Sequence, residues 1–170
     1  VGIGFDAAGL LQMTSAGKTT AISTKSYLDN SWHHIALNVL RNGNAITYVD
    51  GVAVNQVSAS SVEPMQGNAI YLGAERYLDD TGTYSFRNFF KGGIDEVRFW
   101  KATLSASVIR AARMSHLHGT EPGLVAYYPF ETKTLDHGQV VVINSDMDVI
   151  DSVHCTSNEA ITYSDEAPSL

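Results

Sequence analysis

Cysteine and long apolar runs are the features that this chain of 170 residues most clearly lacks. Its single cysteine, Cys155, cannot form an intrachain disulfide, so the strongest sequence marker of an oxidising compartment is missing. No apolar run reaches the roughly 18 residues that cross a bilayer, and no signal peptide is present. We therefore expect no membrane insertion. Because the chain begins at Val1 rather than at methionine, we expect it to be a piece of a larger protein.

Positive charge and catalytic motifs are scarce as well. The chain has 11 basic and 18 acidic residues, which give a formal net charge of −7. Such a surface repels phosphate backbones, so we expect no nucleic-acid partner. The sequence contains no Gly-x-Ser-x-Gly, no His-Glu-x-x-His and no phosphate-binding glycine loop. These absences predict a protein that is not an enzyme.

Short β-type runs separated by turn residues dominate what is present. The clearest are Ile35–Leu40, Ala45–Val49 and Val52–Val54, which are separated by Asn-Gly-Asn and Asp-Gly turns typical of antiparallel hairpins. Further strands are predicted at Leu10–Thr14, Thr19–Ser23, Ala69–Leu72, Gly93–Trp100 and Leu124–Tyr128, and another apolar run covers Val140–Ile143.

One helix is predicted, with Ser105 as its N-cap, a body from Ala106 to about His116, and Gly119 as a stop beyond it. Its apolar stripe is short, so the helix should pack on the edge of the strands. The chain is long enough for one all-β domain with a sizeable core. We therefore predict an all-β fold, an antiparallel β-sandwich with one short peripheral helix.

Several motifs, in the right order, resemble those of laminin-G-like domains in the concanavalin-like jelly-roll superfamily. They are Trp32-His33-His34-Ile35-Ala36, Tyr48-Val49-Asp50-Gly51, Ile70-Tyr71-Leu72-Gly73, Ile94-Asp95-Glu96-Val97-Arg98-Phe99-Trp100, and Leu104-Ser105 before the helix. The resemblance covers about Leu10 to Phe130 and implies a concanavalin-like jelly roll.

Two departures from the family bear on the domain limits. Fewer residues precede Trp32 than in the family, which indicates that N-terminal strands are missing. The segment Gly123–Phe130 resembles one found at the junction of tandem domains. We predict a sandwich over residues 1–131, and an extension over 132–170 that completes the sandwich or starts a following domain. Fold-back is favoured because an open sandwich exposes sheet edges.

The acidic segment Glu75–Asp80 is predicted to be a loop and is the best calcium candidate. Calcium prefers about six to eight oxygen ligands. In pentraxins, which share this superfamily, the loop after a similar strand carries calcium ligands, and the resemblance makes Glu75, Asp79 and Asp80 the metal candidates. Arg76 stands where a ligand is expected and would oppose a cation. The alternative is a solvated acidic turn.

Aromatic residues surround the same segment, and they are Tyr77, Tyr84, Phe86, Phe89 and Phe90. Rings of this kind stack on the apolar faces of sugars, while neighbouring amides and carboxylates bind the hydroxyls. The predicted ligand-binding residues are Tyr77, Asp79, Asp80, Tyr84 and Asn88. Alternatively, Phe86 and Phe90 belong to the core.

Two pairs of adjacent residues suggest metal binding or hydrolysis, but successive side chains of a strand point to opposite faces and so do not act together. His33 and His34 should face opposite sides, one of them in the interior beside Trp32, and so should not share a metal. Asp95 and Glu96 should also diverge, whereas a glycosidase needs two carboxyls roughly 5 to 9.5 Å apart across a cleft. Asp95 is expected to accept hydrogen bonds from loop backbone.

The resemblance implies a non-catalytic adhesion or recognition module of a larger secreted or cell-surface protein, binding a glycan or a surface protein. Two alternatives remain, an accessory or catalytic domain of a carbohydrate-active enzyme and a structural spacer. A fold does not by itself determine a function.

Overall fold

The computed structural model describes residues 1–60, 62, 71–130, 133–136 and 139–142, the last two ranges as backbone only. The chain divides into two compact units. Unit 1 comprises Val1–Lys91 with Thr103–Met114, and unit 2 comprises Gly92–Ala102 with Ser115–Leu170.

The first sheet of unit 1 is an antiparallel meander of β1 (Gly2–Phe5), β2 (Leu10–Ser15) and β3 (Lys18–Ser26). β2 and β3 are joined by Ala16 and Gly17, both of which have positive φ, as a two-residue hairpin turn requires. The strands predicted in this part of the chain are therefore confirmed, with β1 in addition.

The second sheet of unit 1 consists of β4 (Ile35–Val39), β5 (Asn44–Val49) and β6 (Val52–Ser58), again in sequence order and antiparallel. Asp50 and Gly51 form the tight turn between β5 and β6, with φ of 53° and 77°. The predicted meander is confirmed.

The core of unit 1 lies between these two sheets, since β3 contacts both β5 and β6. Its buried apolar residues are Leu11, Met13, Ile22, Tyr27, Ala45, Val49 and Ala59. Alternate residues of β2 (Leu11 and Met13) and of β4 (Ile35, Leu37 and Val39) pack in or against this core, as expected for sheets with one solvated face. The antiparallel β-sandwich is thus confirmed.

A separate hairpin in unit 1 corrects one prediction. β7 (Glu75–Leu78) pairs antiparallel with β8 (Tyr84–Arg87), so the first part of the predicted acidic loop is a strand. Only the segment from Asp79 to Thr83 forms the turn, with Gly82 at a φ of 79°. The prediction was wrong because it rested on the charged residues of this segment. The partner strand β8 contains the β-formers Tyr84 and Phe86, which favour strand pairing.

The helix α1 (Ala106–Ala112) belongs to unit 1 and is shorter than predicted. Ser105 is its N-cap, as predicted, and its side chain accepts a hydrogen bond from the backbone N–H of Val108 at 3.3 Å. Of its seven residues only Ile109 is buried, and Met114 beyond it is 58 % exposed. Because packing of an apolar face supplies most of a helix's stability, a single buried residue supports only a short helix.

Unit 2 contains β9 (Val97–Trp100) paired antiparallel with β10 (Leu124–Tyr128), and β11 (Lys133–Asp136) paired with β12 (Gln139–Val142). β10 confirms the predicted strand, and its pairing shows that this segment folds back onto β9.

One predicted strand begins later in the structure, and another is not a strand where the structure describes it. β9 begins only at Val97, because Glu96 has a φ of 52°, outside the extended region. Tyr71 and Leu72 are not in a strand, while Ala69 and Ile70 lie outside the described residues, as does Ile143.

The boundary between residues 131 and 132 and the role of the extension stay predictions. Within the described part of the chain, no helix is long and apolar enough to span a membrane.

Candidate functional site

The β7–β8 hairpin presents two faces with different side chains. Directly paired residues of antiparallel strands share a face, and successive residues alternate. The pairs Glu75–Arg87 and Tyr77–Ser85 therefore form one face, called here the Tyr77 face. The pairs Arg76–Phe86 and Leu78–Tyr84 form the other, called the Tyr84 face.

The charged side chains of the Tyr77 face pair with one another. Arg87 Nη2 donates to Glu75 Oε1 at 2.9 Å and Nε to Oε2 at 3.3 Å, while Asn88 Nδ2 donates to the same Oε2 at 2.7 Å. The guanidinium of Arg87 lies 4.6 Å from the centroid of the Tyr77 ring. The hydrogen bond from Arg87 lowers the pKa of Glu75. On this face the positive and negative charges neutralise each other.

The Tyr84 face carries a guanidinium held by aromatic rings. The Arg76 Cζ lies 3.5 Å from the centroid of the Tyr84 ring and 5.3 Å from that of Tyr71, and its Nη1 donates to the Tyr71 hydroxyl at 2.6 Å. Tyr71 in turn packs edge-on against Phe86, with centroids 5.5 Å apart. Tyr84 is 60 % exposed and Tyr71 41 %. Large exposed rings next to a charged donor are characteristic of ligand surfaces.

The turn at the end of the hairpin is organised by Asp79. Its Oδ1 accepts hydrogen bonds from the Thr81 N–H at 3.0 Å, the Thr81 hydroxyl at 2.6 Å and the Thr83 N–H at 2.8 Å. The bond from the Thr81 hydroxyl is the main cause that lowers the pKa of Asp79. Asp80 beside it is exposed. Asp79 therefore serves the turn, as aspartates commonly do.

The structure does not bring the three calcium candidates together. Glu75 and Asp79 lie at opposite ends of β7, and each carboxylate already accepts several hydrogen bonds within the hairpin. Among the described residues, no group of three or more His, Cys, Asp or Glu is placed to hold a metal ion. Calcium binding stays a prediction.

The predicted ligand-binding residues are divided between three places. Tyr77 and Asn88 contact the Glu75–Arg87 ion pair, Tyr84 lies on the opposite face, and the two aspartates lie in the turn. Neither Phe86 nor Phe90 is among the residues that form the core of unit 1 or pack against it, so the alternative that places them in the core is wrong. Phe86 is half-buried, while Phe90 stacks on Phe5 at 5.9 Å and remains 38 % exposed.

Sequence reasoning missed Arg76 and Tyr71 as members of an aromatic surface. It treated Arg76 only as an obstacle to calcium. Alternation along the segment would have found it, because Arg76 and Leu78 share a face once Glu75–Leu78 is recognised as a strand.

A second polar cluster of unit 1 surrounds His33. Its Nδ1 contacts Asp50 Oδ2 at 2.9 Å, and its Nε2 contacts Asp29 Oδ1 at 3.1 Å. The hydrogen bond with Asp50 is the main cause that raises the pKa of His33. Both ring nitrogens are engaged, so His33 ties the loop before β4 to the β5–β6 turn. Trp32, expected in the interior, is instead 44 % exposed, because it precedes β4 and does not follow the alternation of a strand.

Unit 2 contains a carboxylate that is largely shielded from solvent. The side chain of Glu96 is only 13 % exposed, and it accepts hydrogen bonds from Arg98, from His116 Nδ1 at 3.0 Å and from the Tyr127 hydroxyl at 2.7 Å. Burial is the main cause that raises the pKa of Tyr127 to about 12. Three donors on one carboxylate describe a packed structural network.

The expected divergence of Asp95 and Glu96 along a strand does not apply, because neither residue is in one. The Asp95 carboxylate accepts a hydrogen bond from the Glu96 backbone N–H at 2.9 Å, the backbone role expected for it.

Unit 1 also has a cleft of about 230 Å³ beside the start of α1. It is lined by Asn38, Leu40, Asn44, Ile46, Tyr48 and the segment 103–106. The Asn38 amide donates to the Leu104 carbonyl at 2.6 Å and accepts from its N–H at 3.2 Å. Asn38 therefore anchors the segment that leads into the helix.

Comparison with known proteins adds a family and a fold. Residues 1–110 match the sequence model of a laminin G family described as the concanavalin A-like lectin/glucanases superfamily. No curated protein matches the sequence significantly.

Two crystal structures resemble the chain. One is a Bacteroides ovatus protein proposed to bind carbohydrate, with 22 % identity over 79 % of this chain and a TM-score of 0.53. The other covers residues 221–444 of an S-layer domain-containing protein from Clostridium thermocellum, with 20 % identity over 65 % of this chain and a TM-score of 0.42. The chain spans 37 % of the first structure and 60 % of the second.

Proposed function

Because this chain belongs to the concanavalin A-like lectin/glucanases superfamily, we propose that it is a non-catalytic carbohydrate-binding module of a larger secreted or cell-surface protein. The sugar binds to the Tyr84 face of the β7–β8 hairpin. The proposal rests on one observation, the Tyr84 ring that is 60 % exposed and held in place by Arg76.

The arrangement of this face suits a sugar ring. The C–H face of a pyranose packs on an aromatic ring, and its hydroxyls need donors and acceptors close to that ring. Arg76 supplies donors beside Tyr84, and the Tyr71 hydroxyl lies within reach of the same guanidinium. The ring and the guanidinium restrain each other, so less side-chain entropy is lost when a ligand binds.

The state of the carboxylates supports a binding role over hydrolysis. A glycosidase needs one carboxyl to donate a proton and a second to act as base or nucleophile. In the described structure Glu75 is paired with Arg87, Asp79 holds the turn, and Glu96 accepts from three neighbours. Each of these carboxylates is engaged in holding its own surroundings.

The likeness to the Bacteroides ovatus protein favours a glycan over a protein as the partner, since that protein is itself proposed to bind carbohydrate. The chain spans a minor part of that protein, which fits a module within a longer polypeptide.

Isothermal titration of the chain against a panel of oligosaccharides tests this function. We expect Tyr84→Ala to weaken binding of the best ligand about 2- to 10-fold, because aromatic stacking contributes about 0.5–1.5 kcal/mol. Tyr77→Ala is the matched control, since it removes the same side chain from the other face and should leave the affinity unchanged.

Three results would contradict the proposal. If no oligosaccharide binds, or if both tyrosine variants weaken binding equally, the Tyr84 face is not a sugar site. Release of shorter sugars during prolonged incubation would show that the chain is a hydrolase, the second candidate function that the superfamily includes.

A further inference from the structure

We propose that the Tyr84 face selects a sugar that carries a carboxylate, such as a uronic acid, and that Arg76 is the residue that recognises it. This inference rests on the proposed function, because it names the class of glycan that the same surface binds. The juxtaposition that carries it is a guanidinium held between two exposed tyrosine rings, with no carboxylate partner among the residues that the structure describes.

The two arginines of the hairpin differ in whether a carboxylate neutralises their charge. Arg87 forms an ion pair with Glu75 at 2.9 Å on the Tyr77 face. Within the part of the chain that the structure describes, Arg76 forms no ion pair, and its partners are the rings of Tyr84 and Tyr71 and the Tyr71 hydroxyl. Ring faces and a phenol oxygen orient a guanidinium without neutralising it. The charge of Arg76 therefore remains available to an anion.

The geometry of Arg76 suits a carboxylate in particular. A guanidinium has five N–H donors in a planar fork that matches the two oxygens of a carboxylate. One donor is used by the Tyr71 hydroxyl at 2.6 Å. Stacking at 3.5 Å from the Tyr84 centroid already restrains the side chain, so binding a carboxylate costs less entropy than it would for a free arginine.

The overall charge of the chain disfavours the most densely charged polyanions. The chain has a net charge of −7, which repels densely charged polyanions such as nucleic acids. A sugar acid carries one charge for each ring and offers a C–H face that packs on Tyr84 or Tyr71. One guanidinium between two rings matches that combination, whereas it does not match a phosphate backbone.

The test compares acidic oligosaccharides with their own neutral forms. Oligomers of galacturonic, glucuronic and mannuronic acid are titrated into the chain beside the same oligomers after reduction of their carboxyl groups to primary alcohols. We expect at least one acidic form to bind about tenfold or more tightly than its reduced form, since charged hydrogen bonds are about twice as strong as neutral ones. Raising the salt concentration should narrow this difference.

Variants at the two arginines assign the effect. Arg76→Gln should abolish the preference for the acidic form. Arg76→Lys should retain part of this preference, because a lysine keeps the charge but not the planar fork. Arg87→Gln is the matched control and should keep the full preference. The thermal unfolding midpoint of each variant checks that the fold is intact.

The outcomes separate this inference from the proposed function. If neutral sugars bind to the Tyr84 face as tightly as acidic ones, the function stands and the acidic selectivity is wrong. If neither class binds, both are wrong. If dextran sulfate competes as well as the uronic acids and depends equally on Arg76, the site recognises any anion, and the carboxylate preference is overturned.

Discussion

His33 shows how one side chain connects segments that are distant in sequence. Its two ring nitrogens contact Asp29 and Asp50, and Asp50 also accepts a hydrogen bond from the His34 N–H at 3.0 Å. Asp50 occupies the turn after β5 with a φ of 53°, and its carboxylate contacts this loop. Protonation of His33 adds a charge–charge attraction to these hydrogen bonds.

The pH dependence of stability follows from the shifted pKa values of His33 and Asp29. The pKa of His33 is raised, chiefly by the hydrogen bond with Asp50, so its contribution is complete below the unfolded value of about 6.5 and is lost as pH rises through the folded pKa. The pKa of Asp29 is lowered, chiefly by the Ser31 N–H, so its contribution is present above about 3.9 and is lost as pH falls through the folded pKa.

We therefore expect the wild-type chain to exceed His33→Gln in thermal unfolding midpoint by the largest margin between about pH 4 and 6.5. The margin should shrink at higher pH. A constant margin from pH 5 to 9 would mean that the charge of His33 does not contribute.

At the scale of elements, the approach of helix α1 to the β5–β6 turn depends on a missing side chain. Gly51 has a φ of 77°, and a Cβ there would lie 3.1 Å from the Arg110 Cα. Gly17, in the β2–β3 turn, has a nearly identical φ of 76° and nothing within 4 Å of the same position. The two glycines thus share the backbone requirement and differ in the contact.

Alanine substitution at these glycines separates the two effects. Each substitution should lower the free energy of unfolding by about 1–2 kcal/mol, because alanine disfavours the left-handed backbone conformation. Gly51→Ala should cost about 1 kcal/mol more, because its Cβ presses on the helix. Urea unfolding of both variants measures the difference. Equal losses of unfolding free energy in the two variants would show that helix α1 shifts away from the added Cβ without destabilising the fold.

At the scale of the whole molecule, calcium binding is decided by its effect on global unfolding, since a ligand that binds only the folded state raises the midpoint. In EDTA we expect Asp79→Ala to lower the midpoint, because it removes three hydrogen bonds of the turn. This loss requires no metal.

Millimolar calcium then tests the metal itself. A wild-type midpoint that rises by several degrees, with the rise lost in both Asp79→Ala and Asp80→Ala, would place calcium in the turn. Glu75→Ala should leave any such rise intact, because Glu75 lies at the far end of β7. An unchanged wild-type midpoint removes calcium from this protein.

Local signals in the sequence were sufficient for most of the fold. Two Gly-containing turns between alternating runs predicted the β4–β5–β6 meander, and Ser105 predicted the start of the helix, because such turns and caps depend only on neighbouring residues. The ordered motifs identified the family. The end of the helix and the start of β9 were misplaced, because packing around Ile109 and the unusual backbone of Glu96 decide them.

The sequence alone determined that the chain is an all-β sandwich and that aromatic and polar residues gather near residues 75–90. Only the tertiary structure decided which of them act together. Pairing of β7 with β8 places Arg76 beside Tyr84 and sends Tyr77 to the other face, and folding places Asp50 against His33. These contacts depend on strand register and on packing between distant segments, where a shift of one residue exchanges the two faces of a strand.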